Sequence, residues 1–251
     1  MTVHKISEYF NQDLDVDWPC PSCHQKTLQI IKDTFIVKNT AETNRLLQSC
    51  EYFEYEWDST VFVCIAKCMR PQCQEVVACS GVGGTEMAYD EEGPHLEGYY
   101  QPKNFSPTLH PFLITEQCEM DIKAPLIASF SVYFNEPGSA ANLIRIAVER
   151  LLTVVGIPSK DNNNGYIKLH HRIEMLKGKY APYKDHLMAI KFLGNAGSHT
   201  YDEVTTTDIE DAFEIMDYVI NNLFSEKIAQ VEMHVERLST KFDMKKKTRN
   251  K

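Results

Sequence analysis

The sequence predicts an α+β protein, in which a β-rich amino-terminal module precedes an all-α bundle that ends in a long helix. Two observations carry this prediction. Up to about residue 125 the chain is rich in aromatic, β-branched and turn residues, as in TLQIIKDTFIVKN, EYFEYEWDSTVFVCIAKC and QEVVACSGVGG, with Pro, Gly, Asn and Asp between the runs. From about Asn135 the apolar residues recur at three- and four-residue steps instead, the period of a helix with one buried face. The chain therefore divides into residues 1–123, residues 124–225 and residues 226–251.

In VFVCIAK the side chains alternate between two faces, as a paired strand requires. Gly81-Val82-Gly83-Gly84 lacks both the following helix and the full glycine spacing of a phosphate loop, so it reads as a turn between strands. Leu143, Ile144, Ala147, Leu151, Leu152 and Val155 mark the first long helix, with Asn135 or Ser139 as its cap and Arg145, Glu149 and Arg150 off the stripe. DNNNG at 161–165 is a loop, and Ile167, Leu169, Ile173 and Leu176 give a second helix. A third runs from about Pro182 to His199. A fourth starts at Thr207, whose spacing to Glu210 matches a capping box, and carries Ile209, Phe213, Met216, Val219, Ile220 and Leu223 on one stripe. Ile228, Val231, Val235, Leu238 and Phe242 then form an a/d seam over two heptads, which packs on the chain's own core or on a second copy.

Charge and apolar run lengths exclude several classes. A net charge of −9 argues against a broad cationic groove for duplex nucleic acid. The exception is the terminal KKKTRNK, with Lys245, Lys246, Lys247, Arg249 and Lys251, which solubilises the chain or touches nucleic acid or an acidic partner. The most apolar stretches, near 124–134 and 143–156, are too short to span a bilayer, so no membrane is expected. The amino-terminal MTVHKISEYFNQDLD has no apolar core of a signal peptide, and a cytoplasmic location follows as the expectation. In that reducing compartment eight cysteines point to metal binding or buried thiols.

Cys20-Pro-Ser-Cys23 and Cys68-Met-Arg-Pro-Gln-Cys73 each place two thiolates on a tight turn, and four sulfurs at about 2.3 Å satisfy zinc. One structural zinc per chain, in a zinc ribbon, is the expectation. Cys64, Cys79 and a nitrogen of His24 compete as ligands, but Cys64 sits mid-strand, where a thiol acts as a small hydrophobe. A four-thiolate site has no open position, so this zinc holds the fold and leaves chemistry to other residues.

In AIKFLGNAGSHTYDE, Lys191, Asn195 and His199 step by four and share one helix face if the helix runs through Gly194 and Gly197. Such a set suits proton transfer and anion stabilisation in phosphodiester cleavage, or phosphate binding without cleavage. Equally, Asn195 and His199 can tie down a helix end through backbone hydrogen bonds. His170, His171 and Glu174 have ligand-like spacing but no third ligand region nearby, and read as an exposed polar face.

CPSC, CMRPQC followed by a strand, YYQPKNFSPTLHPF, NLIRIAVERLL and IKFLGNAGSHTYDE come in a succession that resembles a bacterial domain family. That family is found in restriction-enzyme subunits and anti-phage genes, often with a zinc ribbon before a helical domain. Its helical part is similar to the HEPN (higher eukaryotes and prokaryotes nucleotide-binding) superfamily. The resemblance spans about Cys20 to Leu223 and implies an HEPN-like bundle that pairs into a homodimer, with Asn195 and His199 facing a cleft at the interface. It further implies that Arg145 and Glu149 reach the His199 region across the bundle, and that the partners are RNA or other nucleic acid, or restriction and defence proteins. Many HEPN domains are metal-independent ribonucleases with an Arg four to six residues before the His. Here the nearest upstream cation is Lys191, eight residues before His199, and lysine lacks the planar fork that clamps phosphate. Two further readings stay beside a binding protein: a ribonuclease using His199 with Asn195 and Lys191 or Arg145, and a structural adaptor for a restriction-type enzyme.

Overall fold

The structure, a computed structural model, describes residues 3–91, 93–199, 204–224 and 226–249, with the side chains of 199, 226–229, 232 and 243–249 outside that description. The first half is a curled antiparallel sheet of six strands. In chain order these are β1 (Phe10–Asn11), β2 (Leu28–Ile30), β3 (Ile36–Asn39), β4 (Thr60–Cys68), β5 (Val76–Asp90) and β6 (Gly93–Ser106), with helix α1 (Ala41–Ser49) between β3 and β4. The order is β1-β6-β5-β4-β2, and β3 also pairs with β4. β4 obeys the alternation in its sequence: Phe62, Cys64, Ala66 and Cys68 are buried, whereas Val61 and Val63 are exposed.

The glycines expected in a turn lie instead within β5. A Cβ on Gly81 would stand 2.1 Å from the Gln101 carbonyl oxygen and 2.6 Å from Phe62 Cε1. The stretch is bare because an aromatic core presses on it: Phe10, Phe35, Phe62 and Tyr100 pack with ring centroids 4.8–6.0 Å apart. A register shift at Ser80/Gly81 accompanies the close approach.

Six helices follow: α2 (Met120–Val132), α3 (Pro137–Val154), α4 (Leu169–Glu174), α5 (Lys184–His199), α6 (Thr206–Phe224) and α7 (Glu226–Arg249). α2 starts well before the expected onset of helix near Asn135. Its sequence, MDIKAPLIASFSV, is apolar around most of its circumference, so no stripe betrays it. α3 begins with Pro137 in its first turn, where the missing N–H costs nothing. The second expected helix shrinks to α4, and residues Gly178–Tyr183 form a 3-10 turn, so α5 starts at Lys184. The cap of α6 lies two residues before the expected Thr207: Thr205 Oγ1 accepts from the Asp208 N–H (3.2 Å) and Asp208 Oδ2 accepts from the Thr205 N–H (2.8 Å). Overlapping threonines offer two registers with the same spacing, and the structure uses Thr205 with Asp208.

α3 is the hub, packed against α2, α5 and α6 through Ala140, Ala141, Ile144, Ala147, Val148, Leu151 and Leu152. Aromatic rings fuse bundle and sheet into one core: Phe105 meets Trp18 at 4.9 Å and Phe134 at 5.3 Å, and Phe130 meets Phe112 at 5.1 Å and Phe213 at 4.9 Å. Each such ring, once buried, contributes roughly 2–3 kcal/mol. On α7 the described seam residues Val231, Val235, Leu238 and Phe242 remain 45–58% exposed, so the chain's own core does not cover them. Among the described residues no helix is long and apolar enough to cross a membrane.

Candidate metal centre and the α3–α5 face

Cys20, Cys23, Cys68 and Cys73 converge, with all four sulfurs within 4.8 Å of one another. The local backbone explains the convergence. After Cys20 the chain folds back so that the His24 N–H donates to the Cys20 carbonyl (2.8 Å). After Arg70 it does so again, with the Cys73 and Gln74 N–H groups donating to the Arg70 carbonyl (3.0 and 3.2 Å). The residue after each second cysteine is left-handed, His24 with φ 56° and Gln74 with φ 53°. The Ser22 hydroxyl donates to the Glu75 carboxylate and ties one turn to the other. Leu28 pairs with Cys68 across β2 and β4, which fixes the two turns side by side.

The cluster passes a geometric test for a metal ion. A tetrahedron with sulfurs about 2.3 Å from its centre has edges of about 3.8 Å. Cys20 Sγ lies 3.6 Å from Cys73 Sγ, and Cys23 Sγ lies 3.8 Å from Cys68 Sγ. These four cysteines can therefore bind one ion as a closed set. Burial pushes the Cys20 thiol up to about 12. For Cys23 burial acts in the same upward direction, but the Gln25 N–H, the Arg70 side chain and the neighbouring thiols outweigh it and bring the thiol down to about 6. Arg70, inside the second turn, thus offsets the negative charge of a thiolate cluster, a role that residue spacing alone did not single out. Thr27 Oγ1 adds a contact to Cys68 Sγ at 3.2 Å.

The competing ligands stand elsewhere. His24 stacks on His110, 5.8 Å between ring centroids, and its backbone carbonyl pairs with His4 Nε2 (3.1 Å). Cys64 and Cys79 face each other further along β4 and β5. His170, His171 and Glu174 are exposed on α4. Arg172 between them is 4% exposed and reaches the end of α3, donating to the carbonyls of Glu149, Ile157 and Pro158 and to Thr153 Oγ1 at 2.8–3.2 Å.

In the bundle, α5 is continuous through Gly194 and Gly197, so Lys191, Asn195 and the backbone of His199 follow one another at single-turn intervals. The His199 side chain lies outside the described residues, as do the side chains of the basic tail beyond Phe242. The glycines permit close crossing with α3. A Cβ on Gly194 would lie 2.6 Å from Arg145 Cβ, and one on Gly197 would lie 2.5 Å from the Gly138 carbonyl oxygen. These contacts run antiparallel, which puts the Lys191 turn at the level of Glu149. Arg145 donates to Glu149 Oε1 (2.5 Å) and, through Nε and Nη2, to Asn142 Oδ1 (3.2 and 3.0 Å). The guanidinium is thus held in one orientation, about a quarter exposed. Lys191 Nζ lies over the Phe192 ring at 4.1 Å, and Asn195 is exposed. Asn142 is the member of this face that helical periodicity did not flag; its signal was the i, i+3 spacing to Arg145.

Two family models match the chain. Residues 8–110 match a domain of unknown function (DUF8608), and residues 128–249 match a second domain of unknown function (DUF4145). The four-cysteine cluster falls in the DUF8608 region. Arg145, Glu149, Lys191, Asn195 and His199 fall in the DUF4145 region, which also takes in α7. No curated protein and no solved structure matches the chain.

Proposed function

We propose that this chain is an accessory or effector protein of bacterial defence against foreign nucleic acid. It binds RNA, a nucleotide or a partner protein through a dimeric HEPN-like bundle, which is carried on a zinc-ribbon module. The observation that supports this reading best is the seating of Gly194 against Arg145, which brings the LGNAGS stretch of α5 to the Arg145–Asn142–Glu149 network of α3. A guanidinium pre-oriented by two neighbours is suited to a planar phosphate contact, and Lys191 adds a second cation from the facing helix. In the other module, four soft thiolates with tetrahedral edges suit zinc, which has no need of an open position there.

The second reading is a metal-independent ribonuclease in which His199 exchanges the proton and Asn195, Lys191 and Arg145 stabilise the phosphate. The position of His199 at the end of a continuous α5 supports it. The third reading is an adaptor for a restriction-type enzyme, supported by the exposed seam of α7. One experiment separates them: labelled RNA and single-stranded DNA are incubated with the metal-loaded protein in buffer without added divalent cations, and wild type is compared with Arg145→Ala and His199→Ala, each checked by thermal melt. Binding without cleavage, weakened at least tenfold in Arg145→Ala at unchanged melting temperature, is the expected result. Cleavage lost in His199→Ala would move the assignment to the nuclease. Neither binding nor cleavage would contradict the nuclease and the nucleic-acid form of the first reading, and leave a nucleotide, a protein partner or the adaptor role.

A further inference from the structure

Cys64 and Cys79 take no part in the metal cluster, yet they are deeply buried thiols, 2% and 3% exposed. They stand directly opposite each other on β4 and β5. The Ile65 N–H donates to Thr34 Oγ1 (2.9 Å), and the Ile65 carbonyl accepts from the Ile31 N–H (2.8 Å). Ile65 therefore addresses the far side of β4, and the neighbouring Cys64 turns its own N–H and C=O toward β5. A facing pair of this hydrogen-bonded kind has Cα atoms about 5.5 Å apart, within the roughly 4.4–6.8 Å that a disulfide spans. Side-chain Cβ atoms are wider apart at such positions than a relaxed disulfide prefers, so the bond would be a readily reduced one.

The two facing thiols act unequally on each other's ionisation. The Cys79 contact lowers the pKa of Cys64 against the effect of burial, while the same contact, burial and the charge on Cys64 raise that of Cys79. Cys64 is thus the more readily ionised of the two. Both line a cavity of about 270 Å³ together with Thr34, Asn104 and Phe105. A small oxidant little larger than water fits such a space.

We propose that Cys64 and Cys79 form a reversible oxidation site, closed to a cross-strand disulfide by hydrogen peroxide. The Cys64 thiolate attacks one peroxide oxygen and the O–O bond breaks; the leaving hydroxide takes up the proton that Cys64 had released, and a sulfenic acid remains on Cys64. Cys79 sulfur then attacks the Cys64 sulfur, the S–O bond breaks, and the departing oxygen leaves as water with the Cys79 proton. Two thiols and one peroxide give one disulfide and two waters; each sulfur loses one electron and the peroxide gains two.

The test is peptide mapping of the full, metal-loaded chain after brief peroxide treatment and alkylation, without reductant. The expected result is a linked species joining the Cys64 and Cys79 peptides, restored to free thiols by dithiothreitol, with the metal content unchanged. In Cys79→Ala the linked species should vanish, and Cys64 should become labelled by a sulfenic-acid trap at least fivefold above wild type. Peroxide modification of the exposed Cys50 alone, with Cys64 and Cys79 still alkylated as free thiols, would overturn the proposal. So would disulfides that join either residue to another cysteine. The wild-type map is decisive by itself if the variant does not fold.

Discussion

A guanidinium buried at position 172 must replace its lost hydration, and it does so on four oxygens around the end of α3. Positive charge there also suits the negative end of a helix. Removing it in Arg172→Ala strands several carbonyls, and the expected loss is about 3 kcal/mol in a denaturant titration. Arg172→Lys should recover less than half, because an ammonium cannot form the same fork. Glu210 gives a prediction with a pH sign. Burial raises its pKa, against the Ile6 N–H that donates to it. A carboxyl with a folded pKa above its unfolded one binds its proton more tightly when folded, so its contribution favours the fold at low pH and declines as pH rises through the folded pKa. Glu210→Gln should therefore flatten the fall of melting temperature between acidic and neutral pH. An unchanged slope would count against that assignment. Arg172 was invisible in the sequence because its neighbours His170, His171 and Glu174 are exposed, and nothing local distinguishes a buried arginine from a solvated one.

At the scale of elements, the α3–α5 crossing depends on the absence of side chains at Gly194 and Gly197. Two magnitudes oppose each other in Gly197→Ala: better helix propensity favours the variant by about 1 kcal/mol, while overpacking costs about 1–3 kcal/mol. The new methyl would meet the Gly138 backbone, which cannot swing away, so the clash should win and the melt should fall. The same glycines show what a sequence conceals. Period alone identified α3 and α6, whose stripes face a single core. It missed α2, which is apolar around most of its surface, and it placed the β5 glycines in a turn, because a glycine demanded by a pressing Phe62 looks in one dimension like a glycine demanded by a bend. The convergence of the four cysteines was legible because both pairs sit on tight turns with punctuating prolines. The network of Asn142 with Arg145 lies within α3 and needed side-chain placement to show it, whereas the approach of Gly194 to Arg145 emerged only once α5 was laid against α3.

For the whole molecule, bundle and sheet share one core, so a loss in the metal module should be felt in both. Cys73→Ser is expected to lower the single melting transition well beyond a surface substitution, since each structural ligand contributes to folding; two independent transitions would show that the halves do not couple. The uncovered seam of α7 belongs to this scale too. If a second copy covers it, Val235→Asp with Leu238→Asp should halve the sedimentation mass and leave the monomer's helicity largely intact. An unchanged mass would reject the seam as the contact. The claim on which the module rests is the proposed single zinc on Cys20, Cys23, Cys68 and Cys73. Native mass spectrometry of the purified chain tests it most directly. One zinc per chain, lost together with folded structure when a strong chelator is added, is the predicted result; a fully folded chain at its metal-free mass would contradict it.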